Sequence, residues 1–156
     1  MMMKHQSSAR ACRPCNCGAL RRASRRVSQL YDAALAPSGV KCTQFAILAE
    51  LERSDGAEPV TMCELANAMI MDRSTLGHNL RPLQRDQLVV MRLAEADRRK
   101  RYVELTAKGK VILKHARSLW RRAEQQFENV MGKRPAAKLR AVLHDIATNN
   151  EFDRGQ

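Results

Sequence analysis

Val60-Thr61-Met62-Cys63-Glu64-Leu65-Ala66-Asn67-Ala68-Met69-Ile70-Met71-Asp72-Arg73-Ser74-Thr75-Leu76 opens the stretch, running on to Leu105, whose reading decides the fold. Thr61 and Glu64 have the spacing of a capping box, in which hydroxyl and carboxylate satisfy the unpaired backbone donors of a helix start. Leu65, Ala66 and Met69 give that helix its apolar side. After a short turn at Ile70-Met71, Asp72 is suited to cap a second helix. In it Leu76, Leu80 and Leu83 recur at steps of four and three, the mark of one buried stripe. At about 100° per residue, Ser74, His78, Arg81 and Arg85 fall opposite the stripe, with Thr75 on its flank and Arg73 at its start. A helix that packs by one face and offers such a polar face on the other fits a major groove.

Two runs rich in strand-forming residues follow, Leu88 to Leu93 and Arg101 to Leu105. The seven residues between them, Ala94 to Lys100, read as the tip of a two-stranded ribbon. Asp97, Arg98, Arg99, Lys100 and Arg101 concentrate charge there. Long cationic side chains on a projecting loop suit phosphate contact and entry into a narrow minor groove.

Four segments together carry a family resemblance: Ser74-Thr75-Leu76, then Leu88-Val89, then Asp97-Arg98-Arg99, then Leu105-Thr106-Ala107-Lys108-Gly109. With them the chain, from about Leu20 to Ile146, resembles the MarR family of winged helix-turn-helix regulators. The resemblance implies that Arg99 enters the minor groove with Asp97 orienting it, and that Ser74, Thr75 and His78 face bases. It implies a first helix that contributes to a dimer interface. It also implies a small, often aromatic or anionic, effector held between the dimerisation helices and the winged domain, where Leu30, Tyr31, Phe45, His115 and Trp120 would line a pocket. The alternative for the aromatic members of that group is ordinary core. Two positions depart from the family pattern. Ala107 replaces a usual acidic residue, and Pro82 stands inside the second helix, where it removes an amide donor and should bend the helix toward its end.

Composition bounds the fold class. The chain has 156 residues, 44% of them hydrophobic but only 4% aromatic, and the strand candidates occupy one short region. A mainly α fold with a small β-wing follows: a winged helix-turn-helix domain over residues 40–105 plus a helical dimerisation region over 19–36 and 106–150, preceded by a basic, cysteine-containing tail at 1–18. A formal net charge of +12 calls for a polyanionic partner, double-stranded DNA rather than a membrane. No apolar run approaches the roughly 20 residues that span a bilayer, and Met1 to Arg13 lacks the apolar centre of a signal peptide, so a cytoplasmic location is expected.

From Met1 to Tyr31 there is no acidic residue, while Lys4, Arg10, Arg13, Arg21, Arg22, Arg25 and Arg26 accumulate. The tail is either a solvated basic arm or a DNA contact. Within it Cys12, Cys15 and Cys17 are close enough to act together. Silent thiols, a redox switch or a soft metal site are the three readings, and the last lacks an evident fourth ligand. No metal and no cofactor is assigned. Cys42 and Cys63 neighbour apolar positions and read as buried, inert thiols.

Leu20, Ala23, Val27, Leu30, Tyr31 and Ala34 follow a helical period from near Asn16 to Ala19, ending before Pro37-Ser38-Gly39. Thr43 is placed to cap a second helix carrying Phe45, Leu48, Ala49 and Glu52. Thr106 is placed to cap a long one whose apolar positions are Ile112, Ala116, Leu119, Trp120, Ala123, Phe127, Val130 and Met131. Gly132, Arg134 and Pro135 stop it, and Ala136, Leu139, Val142, Leu143 and Ile146 form another stripe. A helix of about 25 residues is about 37 Å long and needs more cover than a small winged domain gives. A second copy is the economical cover, and two-fold symmetry would set two recognition helices about 34 Å apart on a pseudo-palindromic operator.

The leading expectation is therefore a homodimeric, sequence-specific regulator, a repressor released by a small effector. The alternative within the same architecture is a thiol-based redox sensor, and a protein that coats DNA without reading it comes third. Catalysis is not expected, for there is no Gly-x-Ser-x-Gly, no phosphate-binding glycine loop and no His-Glu-x-x-His.

Overall fold

A computed structural model describes residues 15–54, 59–93 and 100–153 of the chain. Its elements are α1 (Asn16–Leu35), α2 (Cys42–Arg53), β1 (Val60–Thr61), α3 (Met62–Ala68), α4 (Arg73–Arg85), β2 (Val89–Leu93), β3 (Arg101–Leu105), α5 (Ala107–Met131) and α6 (Lys133–Thr148). Short 3₁₀ turns follow α1 at Ala36–Ser38 and close the described chain at Asn150–Asp153. The fold is mainly α with a small wing, as the composition implies.

The ribbon is one strand wider than expected. β1 adds to it, giving an antiparallel sheet in the order β1-β3-β2, with Val60 opposite Val103 and Thr61 opposite Tyr102. Two residues are too few to show a period of two, so Val60 and Thr61 read in sequence only as the approach to a helix. β2 and β3 pair from Val89 opposite Leu105 to Leu93 opposite Arg101.

The core gathers under this sheet. Leu35 of α1, Ile47 and Leu48 of α2, Leu65 of α3, Leu76, Leu80 and Leu83 of α4, Val103 of β3 and Leu113 of α5 are fully buried together. Leu35, Ile47, Leu51 and Leu113 fall outside the positions that helical spacing marks as apolar. Leu113 rather than Val130 carries the buried side of α5, and Val130 is 79% exposed. Leu119 and Trp120 pack inside the chain against the core.

α1 begins at Asn16, at the near edge of the range its helical period implies, so Cys17 lies in its first turn. Two other helix boundaries differ from expectation. α2 begins at Cys42 rather than after a Thr43 cap. The Cys42 amide donates to Asp32 Oδ1 of α1 at 2.6 Å, and Lys41 N–H donates to Gln44 Oε1 at 2.9 Å. Between α5 and α6 the break is Gly132 alone, at φ +87°. Pro135 sits in the first turn of α6, where a missing amide costs no hydrogen bond.

α5 packs along α1 and also meets α2 and α6. One face stays bare in the single chain: Leu20 of α1 and Leu139, Val142, Leu143 and Ile146 of α6 are 37–54% exposed. Among the described residues no helix is long and apolar enough to cross a membrane.

Candidate nucleic-acid interface

The helix-turn-helix is built by its caps. Thr61 Oγ1 accepts from Glu64 N–H at 3.2 Å while Glu64 Oε2 accepts from Thr61 N–H at 2.8 Å, the reciprocal pair that the spacing implied. These bonds hold the Glu64 carboxyl below its ordinary pKa, the Thr61 backbone amide contributing most. At the start of α4, Asp72 accepts from the Thr75 amide at 2.8 Å and from the Thr75 hydroxyl at 2.6 Å. The Thr75 side chain is the main cause of a lowered Asp72 pKa. Thr75 therefore keeps only its lone pairs for a base, because its proton is engaged in the cap.

Both helices end alike. After α3, Met71 N–H donates to the Ala66 carbonyl at 2.9 Å and Ile70 N–H to the Asn67 carbonyl at 3.0 Å. After α4, Leu88 N–H donates to Leu83 at 2.8 Å and Gln87 N–H to Gln84 at 3.0 Å. Each is a Schellman closure, and each puts a non-glycine residue in the left-handed region, Ile70 at φ +50° and Gln87 at φ +60°.

The stripe of α4 is inside and the opposite face is outside. Leu76, Leu80 and Leu83 are at most 1% exposed, whereas Arg73, Ser74, Thr75, His78, Arg81 and Arg85 are exposed. Arg85 is turned onto Asp86, with Nε 2.9 Å and Nη2 3.2 Å from its carboxylate, so it is less free than the others. That pairing is the main cause of the lowered Asp86 pKa. Asn79 spends its amide on the Thr75 carbonyl at 2.9 Å. α4 runs through Pro82, which has no N–H to give the His78 carbonyl.

Arg73 heads a second group. Its Nη2 lies 3.3 Å from Cys63 Sγ, and with Lys100 and Arg101 it lines a cleft of about 520 Å³ beside the capping box. Cys63 is thus exposed rather than buried, because it occupies the solvent side of the first turn of α3. Lys100 and Arg101 are exposed at the start of β3, while Asp97, Arg98 and Arg99 lie outside the described residues.

The expected pocket residues separate. Phe45 stacks on Trp120 with ring centroids 5.9 Å apart, and Tyr31 lies 6.2 Å from the same ring, so the three aromatics cluster, with Phe45 buried and the other two half-buried. His115 is exposed and Leu30 half-buried. A cleft of about 440 Å³ opens elsewhere, between α1, α5 and α6, and of the expected set only Tyr31 lines it. Its polar end is a network that sequence reading missed. The Tyr31 hydroxyl donates to Glu124, and Arg140 Nη2 reaches Glu124 at 2.6 Å. Burial, with Glu124 behind it, drives the Tyr31 pKa up.

Of the cysteines, Cys15 and Cys17 are exposed and free at the start of α1, and Cys12 lies outside the described residues. Cys42 is half-buried with its pKa raised by burial and then by Asp32, which suits an inert thiol. Among the described residues no three metal-ligating side chains gather.

Neither a protein-family model nor a curated protein matches the chain. Solved structures do. The Mycobacterium tuberculosis transcriptional regulator MosR in complex with DNA is 37% identical with a TM-score of 0.78, over 90% of this chain and 99% of that one. The transcriptional repressor CouR bound to a 23-mer DNA duplex is 28% identical with a TM-score of 0.74, over 85% and 92%. A transcriptional regulator (MarR family) from Rhodococcus sp. RHA1 has a TM-score of 0.72 over 83% and 90%, and at 23% identity it speaks to the fold alone.

Proposed function

Because this chain belongs to the MarR family of winged-helix transcriptional regulators, we propose that it works as a homodimeric repressor that reads a pseudo-palindromic operator and is released by a small aromatic or anionic effector. The observation that carries this reading is the division of α4 into a buried leucine stripe and an exposed face of Ser74, Thr75, His78 and Arg81. That face enters a major groove. Arg73, Lys100 and Arg101 meet the phosphates flanking it, with Arg85 at the helix end, and Asp97, Arg98 and Arg99 supply the wing's minor-groove contact. The bare apolar face of α1 and α6 supports the dimer, since a second copy would take Leu139, Val142, Leu143 and Ile146 out of water. Effector binding beside Tyr31, in contact with α1 and α5, alters the separation of the two reading heads. A cytoplasmic location, where its operator would be, goes with this role.

Selection of bound fragments from the source genome, followed by footprinting, tests this. Two related half-sites centred about one helical turn apart are expected. Uniform coverage with no preferred sequence would instead assign the charge to coating of DNA.

A second reading rests on Cys15 and Cys17, two free exposed thiols on either side of the start of α1. In it oxidation of these residues, with Cys12, replaces the effector as the signal. Peroxide then weakens operator binding, and Cys17→Ser abolishes the response; unchanged binding after oxidation removes this reading.

A further inference from the structure

The recognition helix is fastened at its far end to the root of the long helix. Asp86, the residue that closes α4, gives its carbonyl to Lys108 Nζ at 2.9 Å. The next carbonyl, of Gln87, accepts from Thr106 Oγ1 at 2.7 Å, and that of Leu88 accepts from the Thr106 amide at 3.1 Å. Below them Gly109 passes so close that a Cβ there would stand 2.0 Å from the Leu88 carbonyl oxygen. Three consecutive carbonyls leaving α4 are thus held by the first turn of α5.

An ammonium on the last carbonyls of a helix both satisfies acceptors that have no partner within the helix and meets the negative end of its dipole. Here that cation comes from another helix, so the bond fixes an angle between the two as well as closing one of them. α5 is 25 residues long and meets both α1 and α6, the helices that carry the bare apolar face.

We propose that Lys108 is a positioning residue for DNA reading: by tying the end of α4 to the first turn of α5, it sets where each recognition helix stands relative to its copy across the dimer. The proposal rests on the dimeric reading given above. Lys108 is also a cation near the interface, and a bare phosphate contact is the rival role. The two differ in what they change. A phosphate contact strengthens every duplex alike and lowers the salt slope of binding by about one when lost. A positioning contact changes how strictly the spacing of half-sites is enforced.

The test uses the full-length protein and the operator duplex selected above, with its central spacer lengthened or shortened by one base pair. Each change turns one half-site by about 34° relative to the other. Wild type should bind both altered duplexes at least about tenfold more weakly than the parent, the equivalent of one good hydrogen bond lost. Lys108→Met should weaken binding to the parent by about tenfold while leaving the altered duplexes within about threefold of it, with a fall of a few degrees in melting temperature and an unchanged salt slope. Lys108→Arg, which keeps a donor to the Asp86 carbonyl, should restore the discrimination. Equal weakening on all three duplexes with a reduced salt slope, or a Lys108→Met protein as strict as wild type, overturns the proposal while leaving the dimeric reading intact. A wild type indifferent to spacing overturns the dimeric reading, and the proposal falls with it.

Discussion

The Asp32 carboxylate of α1 accepts the backbone N–H of Cys42 at 2.6 Å, so the first helix caps the second across ten residues of chain. The same carboxylate helps raise the Cys42 thiol pKa, after burial. Asp32→Ala should cost about 1 kcal/mol, the usual effect of losing a helix cap. It should also speed alkylation of Cys42, followed by mass spectrometry of its peptide, because the thiol then ionises more readily. An unchanged alkylation rate would show that Asp32 does not govern that thiol.

Gly109 and Gly77 should respond oppositely to the same change. A Cβ at Gly109 would collide with the Leu88 backbone, whereas one at Gly77 would meet nothing within 4 Å. Gly109→Ala should destabilise by about 1–3 kcal/mol through overpacking. Gly77→Ala, inside α4, should gain up to about 1 kcal/mol from helix propensity. Urea denaturation of both variants measures the difference in sign.

Ile70 holds φ +50° with 68% of its surface exposed, so little burial offsets a conformation that β-branched residues avoid. Releasing about 1–2 kcal/mol of left-handed strain against about 0.5–1 kcal/mol of added chain freedom makes Ile70→Gly stabilising. The melting temperature should rise by a few degrees. A fall would mean that the side chain makes a contribution its exposure does not reveal.

Acid should loosen the helix-turn-helix through its caps. Glu64 and Asp72 both titrate below the ordinary carboxyl value, held there by Thr61 and by Thr75. A carboxyl whose pKa is lower folded than unfolded stabilises the fold above the unfolded value of about 4, and that contribution is lost as pH falls through the folded value. Melting temperature should therefore decline below about pH 4. A Glu64→Ala, Asp72→Ala double variant should decline less steeply over the same range.

Leu143 and Trp120 should separate association from folding. Leu143 is 40% exposed on α6, while Trp120 stacks on Phe45 and packs against the core. Leu143→Glu should leave the helical circular dichroism intact and shift sedimentation to the monomer. Trp120→Glu should lose the fold itself. A Leu143→Glu protein that sediments as wild type would move the interface elsewhere.

What the sequence made readable was whatever repeats or caps locally. Leu76, Leu80 and Leu83 announce their stripe by spacing, and Thr61, Asp72 and Thr106 each accept the amide three residues on, as their positions imply. The misreadings come from partners distant along the chain. Val60 and Thr61 become a strand only because Val103 and Tyr102 lie opposite. Cys42 starts a helix because Asp32 reaches it, and the Tyr31, Glu124 and Arg140 network joins three helices that no local pattern links. Cys63 is exposed for another reason: neighbouring apolar residues in sequence do not say which side of a first turn a thiol takes. Lys108 gave a signal, standing in a motif beside Thr106 and Gly109, but its acceptor 22 residues away did not.

Gly132 turns the chain from α5 into α6 on one residue, at φ +87° and ψ 141°, a backbone shape closed to side-chain-bearing residues. Pro135 Cδ stands 3.3 Å from where a Cβ would sit. The heading of α6, and with it the bearing of every leucine and valine on its bare side, is governed by a single pair of torsions. Exchanging that glycine would swing an intact oily surface to a new compass point, changing which molecule it greets without altering one atom of the surface.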